Sequence, residues 1–237
     1  MYKKKKILAV ILARSGSKGI RDKNISLLNK KPLIYFTIRE AKKSKLIDDI
    51  AVSTDSQKYI KIVQNYKIKT PYLRPKKLSG DKISSAVCIL DIFKFYEKMN
   101  NTRYDYCIEL MCTNPFKNFK DIDSVLKKHI SSKADSVIAM TKLEDHHPRR
   151  IKKLVNGKIR DFCLKEKKES RRQDLKPKAY IRNGSIYSLT RKMVLKKIRY
   201  GTKNSIPYIM PRNRVINIDE PQDLLIAKFM MSKKIRK

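Results

Sequence analysis

The sequence is poor in acidic residues, glycine and cysteine, and it has no tryptophan. It contains 22 acidic residues and 58 basic ones, so its formal net charge is +36. Such a charge attracts polyanions, and nucleic-acid binding is therefore one function class to weigh. The basic residues are spread along the whole chain, however, and no helix-turn-helix, zinc-finger or RNA-recognition motif accompanies them. We expect a generally basic surface and no nucleic-acid partner.

Long apolar runs are also missing. No run approaches the roughly 20 residues that a membrane-spanning helix needs. The cluster Lys3–Lys6 before the apolar run Ile7–Ala13 is similar to the start of a secretory signal, but Arg14 ends the run and no small-residue cleavage site follows. We expect a cytoplasmic protein with no membrane partner.

The few cysteines do not form a metal-binding pattern. Cys107 and Cys112 have no second pair at zinc-finger spacing and no histidine nearby, and Cys88 and Cys163 stand apart from them. We expect reduced thiols that are buried as small apolar side chains.

Strand-like and helix-like patterns alternate through the first 140 residues. The strand-like runs are Ile7–Ala13, Ile50–Thr54, Lys69–Leu73, Tyr104–Met111 and Ser136–Met140. Apolar residues at helical spacing lie between them. This alternation predicts an α/β fold, in which helices cover a mostly parallel sheet.

The pattern changes at about residue 141. From there to residue 181 the chain is strongly charged, and Asn156–Gly157 is a hairpin signal between two short runs. We predict an inserted subdomain at 141–181, between two parts of one α/β domain at 1–140 and 182–237. After the insertion we expect a strand, a helix, a further strand and a final helix, at Asn183–Leu189, Arg191–Ile198, Val215–Ile218 and from Glu220 onward.

A loop of small and cationic residues, Arg14–Gly19, follows the first predicted strand. Its backbone N–H groups and its cations would lie at the carboxyl edge of the sheet, where open α/β sheets bind ligands. Glycine lets the backbone approach a phosphate closely, and Arg14 and Lys18 add positive charge. The loop matches neither a Walker A loop nor the dinucleotide-binding pattern. The alternative is a Gly/Ser turn with solvated cations.

Few other residues offer chemistry. Asp219 follows a predicted strand, a favoured place for a carboxylate that binds Mg²⁺, and Asp55 lies at a strand end in the same ambiguous way. Asp223, one turn later, fits a charge at a helix N-terminus. The neighbouring side chains of His146 and His147 would point to opposite sides of a strand, so a structural role is favoured over metal binding. Phosphate and metal binding are therefore indicated, without an evident covalent nucleophile.

An ordered series of motifs resembles the acylneuraminate cytidylyltransferases, the CMP-sialic acid synthetases. The motifs are Arg14–Gly19 with Lys23-Asn24, Ser53–Ser56, Leu73-Arg74-Pro75, Gly80-Asp81, Thr113-Asn114-Pro115, Arg172–Leu175, Asn183–Tyr187 and Ile218–Pro221. They cover nearly the whole chain.

The resemblance implies a Rossmann-like nucleotidyltransferase fold of three layers, with a small insertion that swaps across a homodimer. It implies that CTP and an acidic nine-carbon sugar, such as sialic or legionaminic acid, give a CMP-sugar and pyrophosphate with Mg²⁺ as cofactor. By the resemblance, Arg14 and Lys18 hold the triphosphate, with Ser17 in the same loop. The cytidine is surrounded by Asn24, Arg74 and Ser85. The metal ligands are Asp219 and Asn217, and Arg14, Lys18 and Asp219 are catalytic. The sugar site contains Met111 and Thr113, and Arg172 and Gln173 reach the partner's sugar site.

Two positions depart from the family pattern. Asn217 stands where the family often has a second aspartate, and its amide supplies an oxygen but no charge. Met111 stands where the family commonly has a glutamine that contacts the sugar, so the preferred sugar stays open. The alternatives are a cytidylyltransferase for octulosonic acid, a non-catalytic homologue, and a basic nucleic-acid-binding protein.

Overall fold

The computed structural model describes residues 3–144, 146–165 and 171–235 of the chain. The strands are β1 (Ile7–Leu12), β2 (Leu27–Leu28), β3 (Lys31–Pro32), β4 (Asp49–Ser53), β5 (Tyr106–Leu110), β6 (Ser136–Lys142), β7 (Lys152–Val155), β8 (Lys158–Asp161), β9 (Tyr180–Thr190) and β10 (Ser205–Ile209). The α-helices are α1 (Leu33–Lys43), α2 (Gln57–Gln64), α3 (Ser85–Met99), α4 (Phe119–Ser132), α5 (Arg191–Leu195) and α6 (Pro221–Ile235).

A six-stranded sheet in the order β10-β6-β9-β5-β1-β4 forms the centre of the fold. β9 runs antiparallel to both of its neighbours, and the other pairs are parallel. The predicted α/β fold with a mostly parallel sheet is therefore confirmed.

The sheet is covered on both faces, because side chains alternate between the faces along each strand. In β1, Ile7, Ala9 and Ile11 pack against α1 and α4. Leu8 and Val10 point the other way and pack against α3 and α5. The β1 residues Ile7–Ile11 are fully buried, which explains their continuous apolar run. The predicted three layers are confirmed.

Two of the expected strands are wrong. Lys69–Leu73 belongs to no strand, although the backbone N–H of Arg74 just after it donates to Thr54 O at 2.8 Å. Val215–Ile218 also pairs with no strand, although the N–H of Ile218 donates to Thr113 O at 2.8 Å.

The strand that occupies the edge beyond β6 is instead β10. It contains Pro207, which lacks the N–H that an interior strand needs, and sequence reasoning therefore did not identify it as a strand.

The hairpin signal is confirmed by β7 and β8, which pair with each other in an antiparallel ladder. Asn156 and Gly157 have φ values of 51° and 72°, the left-handed conformations that a two-residue type I′ turn requires. The hairpin lies in the segment between β6 and β9, whose own pairing ends at Lys142 and Tyr180. That segment therefore leaves and rejoins the main sheet at one place.

The predicted roles of the cysteines and histidines mostly hold. Cys88, Cys107 and Cys112 are free and buried, whereas Cys163 is free but exposed, contrary to expectation. His147 is buried and its Nε2 lies 2.8 Å from Pro177 O, a structural role. Among the helices of the described ranges, none combines the length and apolar character that crossing a bilayer requires.

Candidate active site

A cleft of about 1220 Å³ lies at the carboxyl edge of the sheet. Its wall includes residues just after β1 and β5, at the end of β6 and at the start of β9. Because β9 runs against its neighbours, its first residues meet the ends of the others at this edge. The cleft therefore occupies the place where open α/β sheets bind ligands.

The loop Arg14–Gly19, here called the phosphate loop after the role that its sequence predicts, is fixed from two sides. The carboxylate of Asp55 accepts hydrogen bonds from the Ser15 backbone N–H at 2.8 Å and from the Ser15 hydroxyl at 3.2 Å. The buried side chain of Asn24 donates from Nδ2 to Arg14 O at 3.0 Å. Asp55, whose role the sequence left ambiguous, is thus a brace for the loop.

Both cations of the phosphate loop are held by Asp81. Arg14 Nη1 lies 2.6 Å from one carboxylate oxygen of Asp81, and Lys18 Nζ lies 2.9 Å from the other. Hydrogen bonds from Lys18 and then Arg14 lower the pKa of Asp81. The Lys18 side chain is 79% exposed, so it has room to turn toward a ligand. Asp81 belongs to the Gly80-Asp81 motif noted above, but no role for it was predicted from that motif.

Arg74 and Ser85 lie farther along the same wall. Arg74 is buried, and its Nε and Nη2 donate to Ser53 Oγ and Ser53 O at 2.8 and 2.7 Å. Ser84 caps α3, because its side chain accepts from the N–H of Val87. Ser85 is the first residue of that helix and faces the cleft.

Asp219 is the carboxylate of the opposite wall. Lys23 Nζ lies 2.7 Å from one of its oxygens, and the amide of Asn217 donates to the other. Asp223 accepts the backbone N–H groups of Asp219 and Glu220 at 2.9 Å each, which confirms it as a charge at the N-terminus of α6. Sequence reasoning assigned no role to Lys23, although the Lys23-Asn24 motif was a signal for it.

The phosphate loop and Asp219 are in direct contact. A Cβ atom placed on Gly19 would lie only 2.3 Å from Asp219 O. Only glycine therefore fits at this position without a shift, and the backbones of the phosphate loop and of Asp219 pack in one rigid arrangement.

This wall of the cleft has few side chains that could bind a metal ion. No group of three or more His, Cys, Asp or Glu side chains able to hold a metal is found within residues 3–144, 146–165 and 171–235. Asp219 supplies one carboxylate and Asn217 one amide. Mg²⁺ is commonly held by one or two carboxylates together with substrate phosphates. The donor set therefore fits an ion shared with a nucleotide, and it does not form an all-protein cage.

The loop after β5 is supported by a buried lysine. Lys117 is fully buried, and its Nζ donates to Met111 O at 2.5 Å, Asn114 O at 2.6 Å and Thr37 Oγ1 at 3.1 Å. Burial lowers its pKa to about 8. This support fixes the loop that carries Met111 and Thr113 into the cleft.

The structure brings most of the sequence-predicted site residues together. Those that line the cleft are Arg14, Ser17, Lys18, Asn24, Arg74, Ser85, Met111, Thr113, Asn217 and Asp219. Gln173 is exposed on a short 3₁₀ helix and is not among the cleft residues. The side chain of Arg172 lies outside the part of the chain that the structure describes.

Several cleft residues were missed by sequence reasoning. Arg182, Tyr187, Arg199 and Tyr200 line one wall. Only Tyr187 belongs to a motif noted above, and no local pattern identified the other three. His146 also reaches the cleft, whereas His147 does not, so the two neighbouring histidines do not converge.

Comparison with known proteins identifies the family. The cytidylyltransferase family model matches residues 8–206. The chain is 34% identical to the pseudaminic acid cytidylyltransferase of Campylobacter jejuni subsp. jejuni serotype O:23/36 (strain 81-176), over 95% of this chain and 96% of the relative. It is 31% identical to the N-acylneuraminate cytidylyltransferase of Escherichia coli O18:K1:H7 (strain RS218 / NMEC), over 98% of this chain but 53% of that longer relative.

The fold is also found among solved structures. A CMP:2-keto-3-deoxy-manno-octonic acid synthetase solved in complex with CTP superposes with a TM-score of 0.69, over 97% of this chain and 99% of that one, at 17% sequence identity. That likeness concerns the fold. The family match and the identity to its members decide the classification: the chain belongs to the cytidylyltransferase family and is a nucleotidyltransferase.

Proposed function

We propose that this chain joins CTP to an acidic nine-carbon sugar, giving a CMP-sugar and pyrophosphate, with Mg²⁺ as cofactor. The observation that carries the proposal is the phosphate loop. Its two cations, Arg14 and Lys18, are balanced by the single carboxylate of Asp81 at the open edge of the sheet. Phosphate oxygens carry more charge than one carboxylate and can draw both cations away from Asp81.

The residues of the phosphate loop stabilise the leaving group in this proposal. The anomeric hydroxyl of the sugar attacks the α-phosphorus and gives up its proton to water, the bond between that phosphorus and the oxygen bridging to the β-phosphorus breaks, and pyrophosphate leaves. Negative charge moves onto the pyrophosphate, where Arg14 and Lys18 bind it more strongly than in the ground state. Asp219 and Asn217, together with phosphate oxygens, would hold Mg²⁺, which would supply further charge neutralisation.

The nucleoside lies along the wall formed by Asn24, Arg74 and Ser85. The guanidinium of Arg74 is fixed by two hydrogen bonds to Ser53, so it loses little freedom when it binds a ligand. Asn24 braces the phosphate loop through Arg14 O. The same wall therefore couples nucleoside binding to the position of the phosphate-binding cations.

The sugar is an acidic nine-carbon one, and two relatives support this choice by their names, a pseudaminic acid and an N-acylneuraminate cytidylyltransferase. Met111 and Thr113 lie at the sugar in this arrangement. The buried hydroxyl of Thr113 has no hydrogen-bond partner in the described structure. A substrate hydroxyl or carboxylate can satisfy it.

A homodimer is part of the proposal. The hairpin β7–β8 exposes large apolar side chains, with 76% exposure at Leu154 and 66% at Ile159. Such a patch favours an interface, and a second copy of this chain covers it in our proposal. Arg172 and Gln173, in the same inserted segment, then reach the partner's cleft. Light scattering after size-exclusion chromatography tests this, and a monomer at micromolar concentration would contradict it.

Pyrophosphate release from the purified protein tests the reaction. CTP, UTP and ATP are each combined with Mg²⁺ and with sialic, legionaminic, pseudaminic and octulosonic acids. We expect release with CTP and a nine-carbon acid. Release with octulosonic acid alone would contradict the sugar assignment. Silence of the wild type together with activity of Asn217→Asp would identify a non-catalytic homologue.

A further inference from the structure

Four side chains form a stacked row along one wall of the cleft, here called the cation–aromatic row. The guanidinium carbon of Arg199 lies 4.1 Å from the ring centroid of Tyr187. The rings of Tyr187 and Tyr200 follow, with centroids 6.1 Å apart. The guanidinium carbon of Arg182 lies 3.9 Å from the Tyr200 ring centroid and ends the row. All four residues line the cleft.

The inner end of the row is neutralised and fixed. Arg199 Nε donates to Glu109 Oε2 at 2.5 Å, and the Glu109 side chain is fully buried. Burial raises the pKa of Glu109, while the adjacent guanidinium of Arg199 opposes that rise. Arg199 also contacts the sulfur of Met111 at 3.7 Å. Because its charge is already paired, Arg199 serves as an anchor for the row.

The outer end of the row is fixed but not neutralised. Arg182 is exposed and forms no ion pair with a carboxylate in the described ranges. Its guanidinium lies over the Tyr200 ring, and hydrogen bonding from Arg182 lowers the pKa of the Tyr200 hydroxyl. Stacking holds the face of a guanidinium and leaves other N–H donors available for a planar anion.

The charge of Arg182 is therefore positioned before any ligand arrives. We propose that Arg182 is a specificity-determining residue that binds the carboxylate of the acidic sugar, and this inference rests on the function proposed above. The nucleotide phosphates have their own cations in the phosphate loop. A carboxylate matches the fork of N–H donors that an arginine presents, and a bidentate pair gives both affinity and orientation. The row then acts as the rigid support that orients this fork.

The test compares Arg182→Met with the wild type in pyrophosphate release. Loss of a charge-assisted pair predicts that the KM for the sugar acid rises by about 10- to 100-fold. The KM for CTP stays at the wild-type value, since Arg182 lies outside the phosphate loop. Arg103→Met is the matched control, because Arg103 is exposed and precedes β5 at the opposite edge of the sheet. It removes the same charge and should leave both KM values unchanged.

A neutral substrate makes the test specific for the carboxylate. The methyl ester of the sugar acid lacks the negative charge that Arg182 would bind, so it should be a poor substrate for the wild type. It should be an equally poor substrate for Arg182→Met, because the ester has already lost the interaction that the substitution removes. Two results would overturn this inference and leave the proposed function standing. In one, the losses caused by the ester and by Arg182→Met multiply when the two are combined. In the other, Arg182→Met keeps the wild-type KM for the sugar acid. A wild type that turns over no sugar acid with CTP would refute the proposed function, and the inference with it.

The contribution of the row is measured with Tyr200→Leu. This variant keeps the guanidinium of Arg182 but removes the ring on which it packs. We expect a smaller rise in the KM for the sugar acid than in Arg182→Met. If the KM for CTP rose as much as the KM for the sugar acid, this wall of the cleft would have only a structural role.

Discussion

Replacement of Gly19 by alanine tests whether the phosphate loop and Asp219 form one rigid unit. The new Cβ atom would lie 2.3 Å from Asp219 O, a distance below the 3.0 Å that real Cβ contacts respect. The loop or the segment of Asp219 must therefore move by about 0.7 Å, the difference of these two distances. Gly19 does not have a positive φ, so the strain comes from this contact and not from the backbone conformation.

The expected cost falls on catalysis more than on folding. A misplacement of about 1 Å at a reacting centre can lower the rate by about 100-fold, so we expect kcat/KM to fall by about 10- to 100-fold. Overpacking in a buried core costs about 1–3 kcal/mol, and a loop at the edge of a cleft relaxes more easily, so the unfolding free energy should fall by less than that. Pyrophosphate release gives the first quantity, and thermal unfolding followed by circular dichroism gives the second.

Gly16 provides the matched control in the same loop. A Cβ atom at Gly16 would meet nothing within 4 Å, and Gly16 is not among the cleft residues. Gly16→Ala should therefore lose far less activity than Gly19→Ala. Equal losses in the two variants would mean that loop flexibility matters and the contact with Asp219 does not. Full activity of Gly19→Ala would refute the rigid arrangement outright.

Further predictions concern the charges of the site. Lys18→Ala should lower kcat/KM by at least about 10-fold, as expected for a lost charge-assisted contact, while the melting temperature stays unchanged because Lys18 is 79% exposed; wild-type kinetics would remove Lys18 from phosphate binding. Asp219→Ala should raise the Mg²⁺ concentration needed for half-maximal activity or abolish activity, and an unchanged Mg²⁺ titration would exclude Asp219 as a ligand. Lys117 has a pKa of about 8 in the folded protein against 10.5 as the ordinary value. Between these pH values the unfolded state binds more protons, so the unfolding free energy of the wild type should rise with pH relative to Lys117→Met, by at most about 1.4 kcal/mol per pH unit. Urea unfolding of both proteins at pH 8 and pH 10 measures this, and parallel behaviour would contradict it.

The sequence predicted the fold well where periodicity alone decides it. The fully buried β1 reads as a continuous apolar run, and the Asn156–Gly157 signal gave the hairpin at its observed position. Prediction from the sequence failed where the pairing of one strand with another decides whether a segment is a strand. β10 contains a proline and is a strand only because the edge of β6 is free to accept it, whereas Val215–Ile218 has strand-like residues and no partner strand.

The residues of the candidate site also fall into those that the sequence predicts and those that only the fold brings together. The phosphate loop and its neighbours were predicted because local motifs carry them. The contacts of Asp81 with Arg14 and Lys18 join residues that are far apart in the chain, and so does the pair Lys23–Asp219. No local pattern reports such contacts. The cation–aromatic row was missed for the same reason, since its members come from β9 and from the segment after α5.

The reversed direction of β9 has a consequence for how this enzyme can change its substrate. Because β9 starts at the cleft, the segment between β6 and β9 enters the sheet beside Arg182, and strand β5 separates β9 from β1. The segment that carries the hairpin can thus change in sequence and length without moving the loop after β1. In the function proposed above, the sugar side of the cleft can therefore differ while the nucleotide side keeps its position.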